Sequence, residues 1–324
     1  MKIGICVICY NRLDAASRVF STLSEAQFNQ DVEIIASIDY SKSQGQMVDL
    51  FTSYYWGDKK TRLVTYNNNL GLKQHVLSCG DLVKDYDLLV LIEEDLYISH
   101  FFENYLVSSY YLSRSEPKLG GISLYSYTRN EDDKVDFRPC IDSFDNYYLQ
   151  FPSSWGFAIT QKQWGDFRAW LSFNDCETFT DDLLPQYICR WSKQSWKKHY
   201  ARYLVHTGKY FSYPRYSLTS NPGLAGSHHF GIKGLYSVPV CLAERDWKLG
   251  SVDSSLSIYD VNFSSTRSVH DDDGFYSHGV ERPTNKGEYI ADNFYLNLRD
   301  LYSVLFNCVK KFLVKVAGKL KVLK

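Results

Sequence analysis

Four apolar, β-type runs in the N-terminal part of the chain end in side chains that could hold a ligand: Tyr10-Asn11-Arg12, Asp39-Tyr40-Ser41, Asn67-Asn68-Asn69 and Glu93-Glu94-Asp95. Three acids closing one apolar strand repel one another and lose hydration, so they need a counter-charge. A divalent cation supplies it, since carboxylate oxygens suit Mg²⁺ or Mn²⁺; a solvated turn is the other reading. Arg12, placed after an apolar strand, is either a ligand-binding residue or a helix-entry residue paired with Asp14. Asn69 and Gly71 form an ordinary turn or a stretch of backbone that approaches a ligand, glycine having no β-carbon to obstruct it. Asp181 and Asp182 follow Thr180, a predicted helix N-cap, where acids also suit the helix dipole. Cys6-x-x-Cys9 has no second pair to complete a zinc site, and both thiols are expected in the core. His270-Asp271-Asp272-Asp273-Gly274 lacks the alternate acids of a calcium loop and reads as a solvated turn.

The elements that position these residues follow from periodicity. Residues 3–9 are continuously apolar, the pattern of a strand buried on both faces. Apolar Leu13, Ala16, Val19, Phe20 and Leu23 at three- and four-residue spacing predict a helix over residues 13–23. Strands at 32–39, 62–66 and 87–92 then alternate with helices near 46–55 and 72–83. Such alternation predicts an α/β fold with a mostly parallel sheet between helices, which binds ligands at the carboxyl ends of its strands. Ser257 to Phe263 alternates like an edge strand.

The chain has 324 residues, 44% hydrophobic and 23% charged, a composition that excludes disordered, collagen-like and multi-span membrane classes. A net charge of -1, from 36 basic and 37 acidic residues, gives no global field toward nucleic acid. Aromatic residues reach 16%, with 26 Tyr, a surface chemistry suited to polyols. The apolar run after Lys2 is too short for a signal peptide, and eight scattered cysteines suit a reducing cytoplasm. At the far end Phe306, Val309, Leu313, Val316, Leu320 and Leu323 keep a heptad seam beside Lys310, Lys311, Lys315, Lys319, Lys321 and Lys324. Residues 304–324 therefore read as a basic amphipathic helix for an anionic membrane surface, with a docking or coiled-coil helix as the rival.

Together these segments resemble a GT-A glycosyltransferase. Glu93-Glu94-Asp95 is similar to the acidic triplet of the N-acetylglucosaminyltransferase I family, and Asn69-Leu70-Gly71-Leu72 resembles the bacterial family 2 glycosyltransferases. Cys9-Tyr10-Asn11-Arg12, Ser37-Ile38-Asp39, Ser154-Trp155-Gly156-Phe157, Phe179-Thr180-Asp181-Asp182, Tyr213-Pro214-Arg215-Tyr216-Ser217 and Gly226-Ser227-His228 follow the family's order. The resemblance implies a Rossmann-like GT-A catalytic domain over residues 1–231, an acceptor-side extension over 232–300, and the amphipathic helix over 301–324. It implies an inverting transfer from a nucleotide-sugar donor, favouring a uridine nucleotide, to a glycan or lipid-linked glycan, as in bacterial surface polysaccharide synthesis at the cytoplasmic membrane face. Asp95 would hold Mn²⁺ or Mg²⁺, Glu94 would meet ribose or a phosphate-bound water beside Glu93, and Arg12, Asp39, Asn69 and Gly71 would hold the nucleotide. Trp155 is a core residue or an acceptor platform, Ser227 and His228 lie on a loop that orders over the donor, and Asp181, or else Asp182, would be the base. Glu94 departs from the family's usual Asp. A sugar nucleotidyltransferase would carry a glycine-rich loop after the first strand, which is missing here, and a non-catalytic sugar-binding protein would leave the strand-end acids unexplained.

Overall fold

A computed structural model of the chain describes residues 1–176, 179–223 and 235–267. Ser227, His228, the His270 to Gly274 segment and the basic segment 304–324 lie outside the described residues. β1 (Lys2–Cys9), β2 (Asp31–Ile38), β3 (Lys60–Thr65) and β4 (Leu88–Glu93) alternate with α1 (Leu13–Glu25), α2 (Gln44–Ser53) and α3 (Gly71–Gly80), within two residues of the predicted starts. β1 is enclosed on both faces, with Ile5, Cys6, Val7 and Cys9 unexposed.

After a short β5 (Tyr97–Ile98) and α4 (Glu103–Ser115), the chain adds β6 (Leu119–Ser123), β7 (Asn146–Leu149), β8 (Phe157–Ile159), α5 (Gln161–Asn174) and α6 (Gln186–Cys189). It continues through α7 (Trp196–Thr207), β9 (Tyr210–Pro214), β10 (Thr219–Ser220) and β11 (Ile258–Tyr259). Among the described residues nine strands form one sheet in the order β11-β7-β9-β6-β8-β4-β1-β2-β3, and β5 pairs with β10 apart from it. β1 to β4, β6 and β9 run one way; β7, β8 and β11 run against them. The expected edge strand near residues 257–263 supplies β11, at the border of the sheet. Among the described residues no helix is long and apolar enough to cross a membrane.

Two features of this order set the site. From β1 the chain moves through β2 and β3 on one side, then returns as β4 on the other, so the order reverses between β1 and β4. In open α/β sheets such a reversal marks the crevice, at the carboxyl ends of the two strands, where ligands bind. The register pairs Cys9 with Ile38 and Ile8 with Glu93, which brings the ends of β1, β2 and β4 level.

Helix ends are fixed locally. Thr160 and Gln163 form a reciprocal capping box on α5, and Ser195 accepts the Lys198 amide at the start of α7, which ends at Gly208 with φ +63°. α3 lies close to α5 only because Gly80 has no side chain: a β-carbon there would come within 2.1 Å of the Trp164 ring.

Candidate active site

Arg12 crosses the crevice. Its Nε donates to Glu94 Oε1 at 3.0 Å and its Nη1 to Asp95 Oδ2, joining the end of β1 to the end of β4. The expected pairing of acids with a counter-charge is therefore met inside the protein by Arg12, and Arg12 turns to these acids, not to Asp14. Both carboxylates are 4% exposed and the Arg12 side chain 25%. Burial works against the Arg12 cation, but Glu94 and Asp95 outweigh it and push its pKa up. Burial pushes the Glu94 carboxyl up as well, against the pull of Arg12. Glu93, half-buried, is pushed up to about 8 by desolvation, then by its neighbours Asp95 and Glu94.

Asp39 sits just past β2 with its amide on the Cys9 carbonyl at 3.0 Å. Its Oδ1 accepts the Tyr40 and Leu70 amides and its Oδ2 accepts the Gly71 amide and Asn69 Nδ2, all at 2.8 to 3.2 Å. A carboxylate has about four lone-pair sites, so this one is filled. Asp39, Asn69 and Gly71 are thus brought together, with Asp39 organising the loop into α3 and Gly71 at φ +73°. Tyr10 and Tyr40 flank the same edge at 43% and 49% exposure. Trp155 is 2% exposed and packs against Tyr125 and Tyr236, each ring 4.6 Å away, so it is a core residue and not an exposed platform.

Asp181 is held by α7. Asp181 accepts Arg202 Nε at 3.0 Å and hydrogen-bonds His206 Nε2 at 2.7 Å, both on α7, and it takes the Leu183 amide on Oδ1. β9 follows α7 and runs parallel to β6 and hence to β4, so α7 descends from the carboxyl edge toward the opposite edge. Arg202 and His206 lie about 7–14 Å down that axis from Lys197, at 1.5 Å per residue. Among the described residues the polar contacts of Asp181 are with α7 and its own turn and none is with the Glu93–Asp95 cluster, and exposed Asp182 follows it. Nor does Thr180 cap a helix: Asp181 heads a turn closed by the Leu184 amide on its carbonyl. A helix begun there would meet Pro185 within its second turn, without an N–H and with its ring against the preceding turn.

Burial raises the Asp181 pKa, but Arg202, the Leu183 amide and His206 outweigh it and leave it below the usual range. A lowered folded pKa contributes stability above the unfolded value near 4, lost as pH falls through the folded value. Asp181→Asn is accordingly expected to cost about 1–3 kcal/mol at pH 7, less below pH 4, with turnover kept. Urea denaturation at several pH values checks this; a loss of turnover at unchanged stability would make Asp181 the base.

Lys197, Glu131 and Tyr127 escaped the reading of the sequence. Lys197 donates to Glu131 Oε1 at 2.6 Å and to Tyr127 Oη at 3.3 Å, at the carboxyl edge. The one available signal was a lysine in the first turn of a helix, where the dipole disfavours a cation and a partner anion is called for.

Among the described residues no three His, Cys, Asp or Glu side chains converge as a metal cage. Asp95 Oδ1, however, is buried without a hydrogen-bond partner, beside half-buried Glu93. Mg²⁺-like ions use one or two carboxylates, taking their other ligands from water and substrate phosphate. The residues present fit a cation bound in that way.

The sequence matches no protein-family model and no curated protein. Solved structures similar to the chain include a mannosyltransferase, PcManGT from Pyrobaculum calidifontis, in complex with GDP-Man and Mn²⁺, at 12% identity and TM-score 0.41, over 65% of this chain and 54% of that one. S. aureus TarS 1–349 with UDP-GlcNAc is similar at 14% identity and TM-score 0.41, over 71% and 61%. GalNAc-T7 with UDP, GalNAc and Mn²⁺ is similar at 11% identity and TM-score 0.43, over 65% and 42%. The chain thus spans less than two thirds of the length of each of these structures.

Proposed function

We propose that the chain is a glycosyltransferase that moves a hexosyl or N-acetylhexosaminyl group from a nucleotide-sugar to a hydroxyl acceptor. The observation that carries this reading is the β1–β4 crevice, where Arg12 neutralises part of an acidic strand end and Asp95 Oδ1 is left for a further partner. Asp95 would hold Mn²⁺ or Mg²⁺, which when bound neutralises charge on the departing diphosphate. Arg12 adds a fixed cation at the same edge, and Asp39 fixes the Asn69 to Gly71 loop against which the nucleoside would lie. Exposed Tyr10 and Tyr40 supply rings for its base. Half-buried Glu93, at the end of β4, would take the acceptor proton in its ionised form; Asp181 is engaged by Arg202 and His206. Ser227 and His228 would close over the donor.

The favoured donor is a uridine nucleotide-sugar, the outcome inverting, and the acceptor a glycan or lipid-linked glycan at the cytoplasmic membrane face, as in surface polysaccharide assembly. The lysines and apolar seam of residues 304–324 support that location, each lysine near an anionic bilayer contributing about 1 kcal/mol. Truncation after Tyr302 is expected to release the protein from anionic vesicles in a sedimentation assay; continued binding would put the anchor elsewhere. The activity is tested by incubating the protein with UDP-GlcNAc, UDP-galactose or GDP-mannose, with and without Mn²⁺. Mn²⁺-dependent release of a nucleoside diphosphate supports the reading, and no release or binding with any donor would overturn it.

A further inference from the structure

Facing the β4 acids from the β8 side is a buried ion pair that donor binding leaves without a task. Lys197 and Glu131, each 9% exposed, are 66 residues apart and joined at 2.6 Å. Tyr127 Oη donates to the same Glu131 oxygen at 2.5 Å. The rings of Phe151, Trp191 and Trp155 stand 4.4, 5.4 and 5.5 Å from the ammonium and keep water from it. Burial pushes Lys197 toward neutrality, and Glu131 opposes that. Such a pair is weak evidence for stability, because well-packed uncharged side chains of similar size serve as well or better. Its place suggests another use.

Glu131 comes from a hairpin closed by the Arg129–Asp136 bridge, whose tip is stiffened by Asn130 Oδ1 accepting the amides of residues 132, 133 and 134. Lys197 comes from the first turn of α7, where the preceding Trp196 stacks on Phe157 of β8 at 5.1 Å. β8 pairs with β4 as far as Leu91–Phe157, so the Trp155–Gly156 segment leads into β8 beside the end of β4 that carries the acids. Lys197 and its cage therefore bear on the segment that walls the acids. Gly156 in that segment has φ +88°, and Thr219 ties down the Trp155 carbonyl at 2.5 Å.

We propose that Lys197, locked by Glu131 and Tyr127, is a positioning residue that fixes the Trp155–Gly156 wall against the β4 acids, as Arg12 fixes those acids from β1. The proposal rests on the donor-site reading of the crevice. It is tested with K197M, K197R and the neutral pair E131Q/K197M, in which the amide that replaces the Glu131 carboxylate still accepts from Tyr127 and the methionine fills the lysine's space. K197M is expected to lose stability to urea, and E131Q/K197M to regain it. In the double variant, amide hydrogen exchange across residues 153–159 is nevertheless expected to stay at least tenfold faster than in the wild type. Binding of UDP or GDP with Mn²⁺, by titration calorimetry, is expected to stay at least tenfold weaker, and K197R to restore both. A double variant that matches the wild type in exchange and binding would reduce the pair to packing and overturn the proposal. Should the wild type bind neither nucleotide, the glycosyltransferase reading fails by itself, and the exchange rates alone decide whether Lys197 positions the wall.

Discussion

Asp95→Asn is expected to lower Mn²⁺-dependent turnover by about 10²–10³-fold, since a bound cation contributes several kcal/mol to stabilising a leaving diphosphate. The reason lies in one atom: Asp95 Oδ2 is taken by Arg12, while Oδ1 is buried and unpartnered. The amide keeps the volume of the side chain and removes the charge that would hold the ion. Stability should change by no more than about 1–2 kcal/mol, because the substitution weakens one charge-assisted hydrogen bond and also thins a crowd of three acids. Steady-state rates against Mn²⁺ concentration, with urea curves on the same preparation, separate the two effects. Wild-type turnover in the variant would remove Asp95 from the site.

Arg12→Met is expected to have the largest effect on folding. It strands Glu94 and Asp95, both 4% exposed, without their cation. Breaking a buried pair on one side costs about 3–5 kcal/mol, and the partial exposure of Arg12 argues for the lower end. The sign of the pH dependence follows from the carboxylates. Burial already raises the Glu94 pKa against the opposition of Arg12, so removing the arginine raises it further. A carboxyl with a raised folded pKa binds more protons folded than unfolded, so stability falls as pH rises between the unfolded and folded values. The loss should be small near pH 4 and full at pH 8, as read by urea unfolding at both. A deficit independent of pH would mean that Arg12 acts through packing alone.

How much of this was legible in the sequence depended on the range of the interaction. β1 and β4 are enclosed on both faces and read as unbroken apolar runs, so the alternation and the strand ends were visible. That acids at the end of β4 need a counter-charge was also readable. That Arg12 supplies it was not, because the partners lie 82 and 83 residues apart and no local period links them. Asp39 was readable as an acceptor at a strand end, but three of its four N–H donors come from a loop some thirty residues on. The Thr180 cap was a misreading of visible evidence: Pro185, and the restriction it sets on Leu184, already argued against a helix. β7 and β9 were missed because their tyrosines, with Asn146 in β7 and Ser212 and Pro214 in β9, do not give the aliphatic run of a buried parallel strand. Lys197 resembled a solvated lysine, and only the folded chain closes three rings and Glu131 around it.

Crystals of the protein grown with UDP or GDP and Mn²⁺, measured at the manganese absorption edge, test most directly that the β1–β4 crevice is a nucleotide-diphosphate site. The expected result is one anomalous peak within coordination distance of Asp95 Oδ1, with the diphosphate on its open side and the nucleoside toward the Asn69 to Gly71 loop. A nucleotide bound away from the crevice, or a manganese peak that leaves Asp95 without a ligand, would contradict it.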